Sequence, residues 1–159
     1  MAKTFSFLFA LMISLIMMSC GQNKVAIKKT DTVNQPPITI QSFSKFPPEI
    51  DGCSCYFSAN EKAFKQHQYL IVTNLDSLAF MTINEKPLKF KLLSSSAEPQ
   101  TFTTVDHVEI FGNNDYTITI DIKHKKSSDS EVWIDEGIIT ITRKDGQKLV
   151  KQFYGECGC

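Results

Sequence analysis

Apolar and polar residues alternate along most of the chain between Tyr69 and Tyr154, and that alternation predicts strands. In the clearest case Leu88, Phe90 and Leu92 are interleaved with Lys89 and Lys91, the pattern of a half-buried strand. Tyr116, Ile118, Ile120 and Ile122 share a second such face, with Thr117, Thr119, Asp121 and Lys123 on the other side. Tyr69–Thr73, Leu78–Ile83, Thr101–Phe111 and Leu149–Tyr154 are β-branched and aromatic runs of strand length. Turn residues separate them: Asn74 to Ser77, Asn84-Glu85-Lys86-Pro87, Gly112-Asn113-Asn114-Asp115 and Asp145-Gly146. Ser94 to Gln100, with Pro99, and Lys125 to Ser130 read as polar loops. Val132 and Ile134 are in even phase, whereas Ile139 and Ile141 are in odd phase. The change predicts a β-bulge or a break near Asp135–Gly137.

The helical period is scarce. Ser58-Ala59-Asn60-Glu61 has capping-box spacing and predicts one short helix near residues 59–66. Upstream, Ile38 and Ile40 alternate with Thr39 and Gln41, so pairing can begin there, and Phe43 and Phe46 read as lids on the core. Pro47-Pro48 stops regular structure. Seven or eight short strands without intervening helices give an all-β domain, a single antiparallel barrel or sandwich. Closure of such a sheet brings the first strand beside the last.

The cysteines sharpen this expectation. Gly52-Cys53-Ser54-Cys55-Tyr56-Phe57 lies at one end of the folded region and Tyr154-Gly155-Glu156-Cys157-Gly158-Cys159 at the other, with no cysteine between them. Three pairings are open. Bridges within each Cys-x-Cys would be strained, because residues two apart on a strand sit near the upper limit of disulfide Cα separation. Cys53–Cys157 with Cys55–Cys159, or Cys53–Cys159 with Cys55–Cys157, are preferred, and an antiparallel neighbour favours the latter. Closing a loop of about a hundred residues is worth on the order of 4–5 kcal/mol in the chain-entropy model, and a second bridge beside the first adds far less. That shortfall leaves room for two other readings. Cys53, Cys55, Cys157 and Cys159 could hold Zn or Cu as four thiolates, or form a thiol–disulfide exchange centre.

The start of the chain has a different composition. Lys3 is the only charge before Cys20, and Phe5–Met18 is an apolar run of roughly fourteen residues, short for a bilayer span but suited to a signal peptide. It ends Met17-Met18-Ser19-Cys20, which resembles the bacterial lipobox, with Met17 where leucine is usual. The resemblance implies lipidation at Cys20 and anchoring to a membrane. Gly21, rather than Asp, then implies passage to the outer membrane by similarity to Gram-negative lipoproteins. Gln22-Asn23-Lys24 lacks the acidic residues of surface-export tags, which favours the periplasmic side. The polar stretch ending in Pro36-Pro37 reads as a flexible tether. The domains expected are a signal peptide over 1–19, a lipidated cysteine and tether over 20–45, and a β-domain over 46–159.

Composition excludes some functions. The 159 residues are 42% hydrophobic with 12 Phe, enough for one core. Lys plus Arg and Asp plus Glu number 17 each, and Arg143 is the sole arginine, so the chain lacks the basic field of a nucleic-acid binder. His107 and Asp106 are adjacent in a strand and point to opposite faces, which argues against their cooperation. His67 reads as a loop residue and His124 as the edge of the Tyr116–Ile122 face. No nucleophile elbow, His-Glu-x-x-His or phosphate loop occurs. Asp135 and Glu136 beside Trp133 are a candidate ligand-binding group for a sugar or a cation.

The run Phe46–Ser58 and the ending Phe153–Cys159 resemble uncharacterised bacterial lipoproteins of the Bacteroidetes kind, a group that implies no activity. Size, anchoring and β-content are also similar in architecture to the membrane-bound inhibitors of chicken-type lysozyme. The expectation is a non-enzymatic cell-envelope lipoprotein whose β-module binds a protein, glycan or small ligand. The alternatives are a thiolate metal-binding lipoprotein and a lysozyme-inhibitor-like envelope protein.

Overall fold

In a computed structural model of the chain, the described residues are 35–75, 77–97, 105–127 and 131–159, the last two residues of the third segment by backbone alone. The expected signal peptide, Cys20, the tether up to residue 34, residues 98–100 of the Pro99 loop, and the start of the strand expected from Thr101 lie outside them, while Ser94 and Ser95 of that loop, and residues 125–127 of the loop expected at Lys125 to Ser130, belong to strands. The compact unit runs from Pro36 to Cys159, beginning ahead of the boundary expected at 46.

The strands are β1 (Ile40–Gln41), β2 (Ser54–Ser58), β3 (Tyr69–Thr73), β4 (Leu78–Ile83), β5 (Lys86–Ser95), β6 (His107–Gly112), β7 (Tyr116–Ser127), β8 (Val132–Arg143) and β9 (Lys148–Gly158). One helix, α1 (Glu61–Lys65), follows β2. From β2 to β9 each strand pairs antiparallel with the next in sequence, and β9 pairs back onto β2. The result is a closed eight-stranded up-and-down barrel, with β1 as an extra strand against β4.

A barrel of eight strands is just wide enough for side chains to fill it. Phe57, Ile71, Ala79, Met81, Ile83, Phe90, Phe111, Ile118, Ile120, Ile139, Ile141 and Phe153 form that filling. The even phase of β7 faces inward, as its alternation predicts. In β8 the inward phase is odd throughout: Trp133, Asp135, Ile139, Ile141 and Arg143 are buried, while Val132 and Ile134 are half-buried on the outside. The bulge expected near Asp135–Gly137 is therefore absent, and β8 pairs with β9 without a shift from Val132 to Thr142. Register shifts occur instead at His124/Lys126, at Leu92/Ser94 and at Phe57/Ser58.

Three local expectations also change. The β4–β5 turn is two residues, Asn84-Glu85, both at positive φ, and Pro87 belongs to β5. Pro87 is tolerated there because β6 first pairs with β5 at Lys91, so no neighbour needs its missing N–H. The helix cap is Asn60, whose side chain accepts from the Ala63 N–H, and not Ser58. Phe46 is 42% exposed and lies outside the barrel against Tyr56 and Tyr69, not over the core.

One end of the barrel carries the tight turns. There the residues before β1 are tied down: Arg143 Nη1 donates to the Pro36 carbonyl at 2.8 Å, the Ile38 N–H donates to Gln147 at 2.9 Å, and the Ile38 side chain is buried. The other end carries the disulfides.

Gly155 lies in β9 opposite Phe57, and a Cβ there would meet the Tyr56 carbonyl oxygen and, at 2.6 Å, the Phe57 ring. Gly155→Ala should lower stability by about 2 kcal/mol or more, the cost of overpacking a close strand approach. The urea midpoint checks this, with Lys148→Ala, at an exposed position of the same strand, as the comparison.

Candidate functional site

The β2–β9 pairing places Cys55 directly opposite Cys157. They form one disulfide, and Cys53–Cys159 forms the other, two residues further out. Antiparallel register thus selects one of the two cross-pairings. With every sulfur bonded to another, none of the four is a thiolate ligand, so the Zn or Cu reading loses its ligand set. Among the described residues no other group of His, Cys, Asp and Glu is arranged to hold a metal. Cys55 and Cys157 are buried among the core, whereas Cys53 and Cys159 are exposed.

Beside the inner bridge the barrel interior becomes polar. Asp135 is 2% exposed, with Oδ1 3.2 Å from His124 Nδ1 and Oδ2 3.4 Å from the Cys157 sulfur. The Trp133 side chain also hydrogen-bonds to Asp135. His124 is its direct register partner on β7, and the His124 backbone N–H donates to Asp106 at 3.0 Å. His107 points inward from β6, donates through Nδ1 to the Val105 carbonyl at 2.9 Å and has Nε2 3.8 Å from Glu109. The sequence argument that Asp106 and His107 face opposite ways holds. The His124–Asp135 pair was not anticipated, because it depends on the register of a hairpin.

Burial is the largest influence on Asp135 and raises its pKa from 3.8 to about 6, against the opposing pull of His124. Burial also disfavours the charged His107 ring. Glu109, the Val105 carbonyl and Asp135 together outweigh that effect and hold the His107 pKa above 6.5.

Trp133 and Asp135 therefore face the interior, and Glu136 does not join them. It sits on the outside of β8, 3.0 Å from Lys125 Nζ. There it lines a cleft of about 460 Å³ bounded by Asn60 and Glu61, by Lys123 and Lys125, and by Ile138, Gln152 and Tyr154. Lys123, Glu136, Tyr154 and Ser58 are successive register partners across β7, β8, β9 and β2, which is why they share this outer surface. α1 lies alongside, with the Phe64 ring edge-on to both Tyr154 and Tyr69. Phe46, Tyr56 and Tyr69 continue the ring contacts over β2 and β3, with centroids 4.7 to 5.7 Å apart. Beneath them the buried Ser58 hydroxyl has no hydrogen-bond partner.

No protein-family model, curated protein or solved structure matches this chain.

Two expectations follow from the polar end. Asp135 and His107 both bind a proton more tightly in the folded chain than in the unfolded one. Each therefore stabilises the fold in acid. The Asp135 contribution is complete below about 3.8 and lost as pH rises through about 6. That of His107 is complete below 6.5 and lost at higher pH, through its raised pKa. Urea unfolding should give a stability that falls between about pH 4 and pH 8, by roughly 3 kcal/mol from Asp135. Asp135→Asn should flatten this slope, and a slope equal to the parent's would refute the assignment. Separately, mild dithiol treatment of native protein should expose Cys53 and Cys159 to alkylation before Cys55 and Cys157, because attack requires access. Peptide mass mapping reads the order.

Proposed function

We propose that this protein is a lipid-anchored cell-envelope module that binds its ligand without transforming it. The observation that carries the reading is the pair of disulfides between the first and last barrel strands. Such bonds persist in oxidising compartments, which agrees with an exported chain whose first twenty residues have signal-peptide and lipobox character. Cys20 is the proposed acylated residue, and the outer membrane, with the barrel on its periplasmic side, is the proposed location.

The binding assignment is supported by how the barrel is filled. Its middle is occupied by Phe57, Phe90, Ile118, Ile120 and Ile139, all fully buried. Recognition is therefore assigned to the outer surface, where Glu136, Gln152 and Tyr154 line the cleft beside α1. The Trp133–Asp135–His124 cluster, closed among core side chains, is assigned to the architecture of the barrel end.

Cys20→Ser should leave the chain unprocessed by signal peptidase II and shift it from the membrane pellet to the soluble fraction or to an uncleaved precursor. Mass spectrometry of the N-terminal peptide and membrane fractionation check this. Unchanged processing and fractionation would overturn the anchor.

A further inference from the structure

The cleft beside α1 is built for a particular kind of ligand. Its formal charges balance, with Lys123 and Lys125 against Glu61 and Glu136. All four are already engaged: Lys125 with Glu136 at 3.0 Å, Glu61 with Lys65 at 2.7 Å, and Lys123 with Asp106 at 3.4 Å and Asp121 at 3.3 Å. An anion or a cation entering here meets no uncompensated partner, so charge attraction contributes little. The remaining lining pairs apolar surface with neutral polar groups. Ile138 is 42% exposed, and Gln152, its register partner, stands beside it. Tyr154 adds a half-buried ring and a hydroxyl.

A pyranose matches that combination, since it carries C–H faces that pack on aromatic and aliphatic surface and a rim of hydroxyls that exchange hydrogen bonds with amides and carboxylates. From Tyr154 the ring contacts pass to Phe64 and the buried Tyr69, which hold α1 against the barrel and fix that side of the cleft. We infer that the Tyr154–Gln152–Ile138 cleft binds a neutral oligosaccharide. The inference rests on the binding-module reading above and names its ligand class.

The test is calorimetric titration of the purified full chain in detergent with chitohexaose, cellohexaose and maltohexaose. Saturable binding of at least one, with a dissociation constant between about 10 µM and about 1 mM, is expected. It should change little as salt is raised from about 0.05 M to about 0.5 M, because no charge pair drives it. Tyr154→Ala and Gln152→Ala should each weaken it by about fivefold or more, and Leu93→Ala, on β5 away from the cleft, should not. Gln152 is exposed, so its variant tests the site without disturbing α1, and near-ultraviolet dichroism from Trp133 verifies the fold. No binding to any of the three, binding unaffected by both cleft variants, or binding abolished by salt would each overturn the inference. The anchored-module reading is judged separately, by the Cys20→Ser fractionation.

Discussion

The contact on which the molecule depends is the lateral pairing of β9 with β2. Every other pairing in the barrel joins strands adjacent in sequence, so each can form as a hairpin at small entropic cost. The β2–β9 seam instead joins residues separated by about a hundred positions and decides whether the sheet is a barrel or a curled ribbon with two bare edges. The cysteines stand on that seam. Two bridges spaced two residues apart fix its register as well as its existence, since a one-residue slip would turn one strand's cysteines to the opposite face. Gly155 permits the same strands to approach closely.

Closure also explains the division between inside and outside. The interior is apolar along most of its length, then ends in a polar layer of Asp135, His124, His107 and Glu109, with Asp135 against the inner disulfide. Burying a carboxylate costs stability unless it is partnered, and here Asp135 has the His124 ring and the Trp133 side chain as its partners. The cost remaining appears as a raised pKa. Outside, the same strand alternation sends Lys123, Glu136 and Tyr154 to one surface, so their shared face follows from register alone.

Much of this was legible in the residues. The alternation at Tyr116–Ile122, the Asp145-Gly146 hairpin, the short helix after β2 and the meeting of the two cysteine stretches follow from period, turn chemistry and closure. What was not legible has particular causes. Val132 and Ile134 look like core, yet the inward phase of β8 belongs to Trp133 and Asp135, because this end of the barrel has a polar filling and a half-covered exterior. The shifts at Leu93 and Lys125 fall at residues with no glycine to mark them. Pro87 reads as a stop until one knows that the start of β5 has only one neighbour. Splitting Asp135 from Glu136 required knowing which face of β8 is which, and so did pairing Asp135 with His124.

The order of the cysteines along the chain has a consequence for biosynthesis. Cys53 and Cys55 are synthesised before Cys157 and Cys159, their partners 106 and 102 residues later. During that interval neither native partner exists, and the neighbour two residues away offers only the strained bridge of a Cys-x-Cys. The native bonds form only once the last strand is made, and any bridge formed earlier has to be exchanged before the barrel can close.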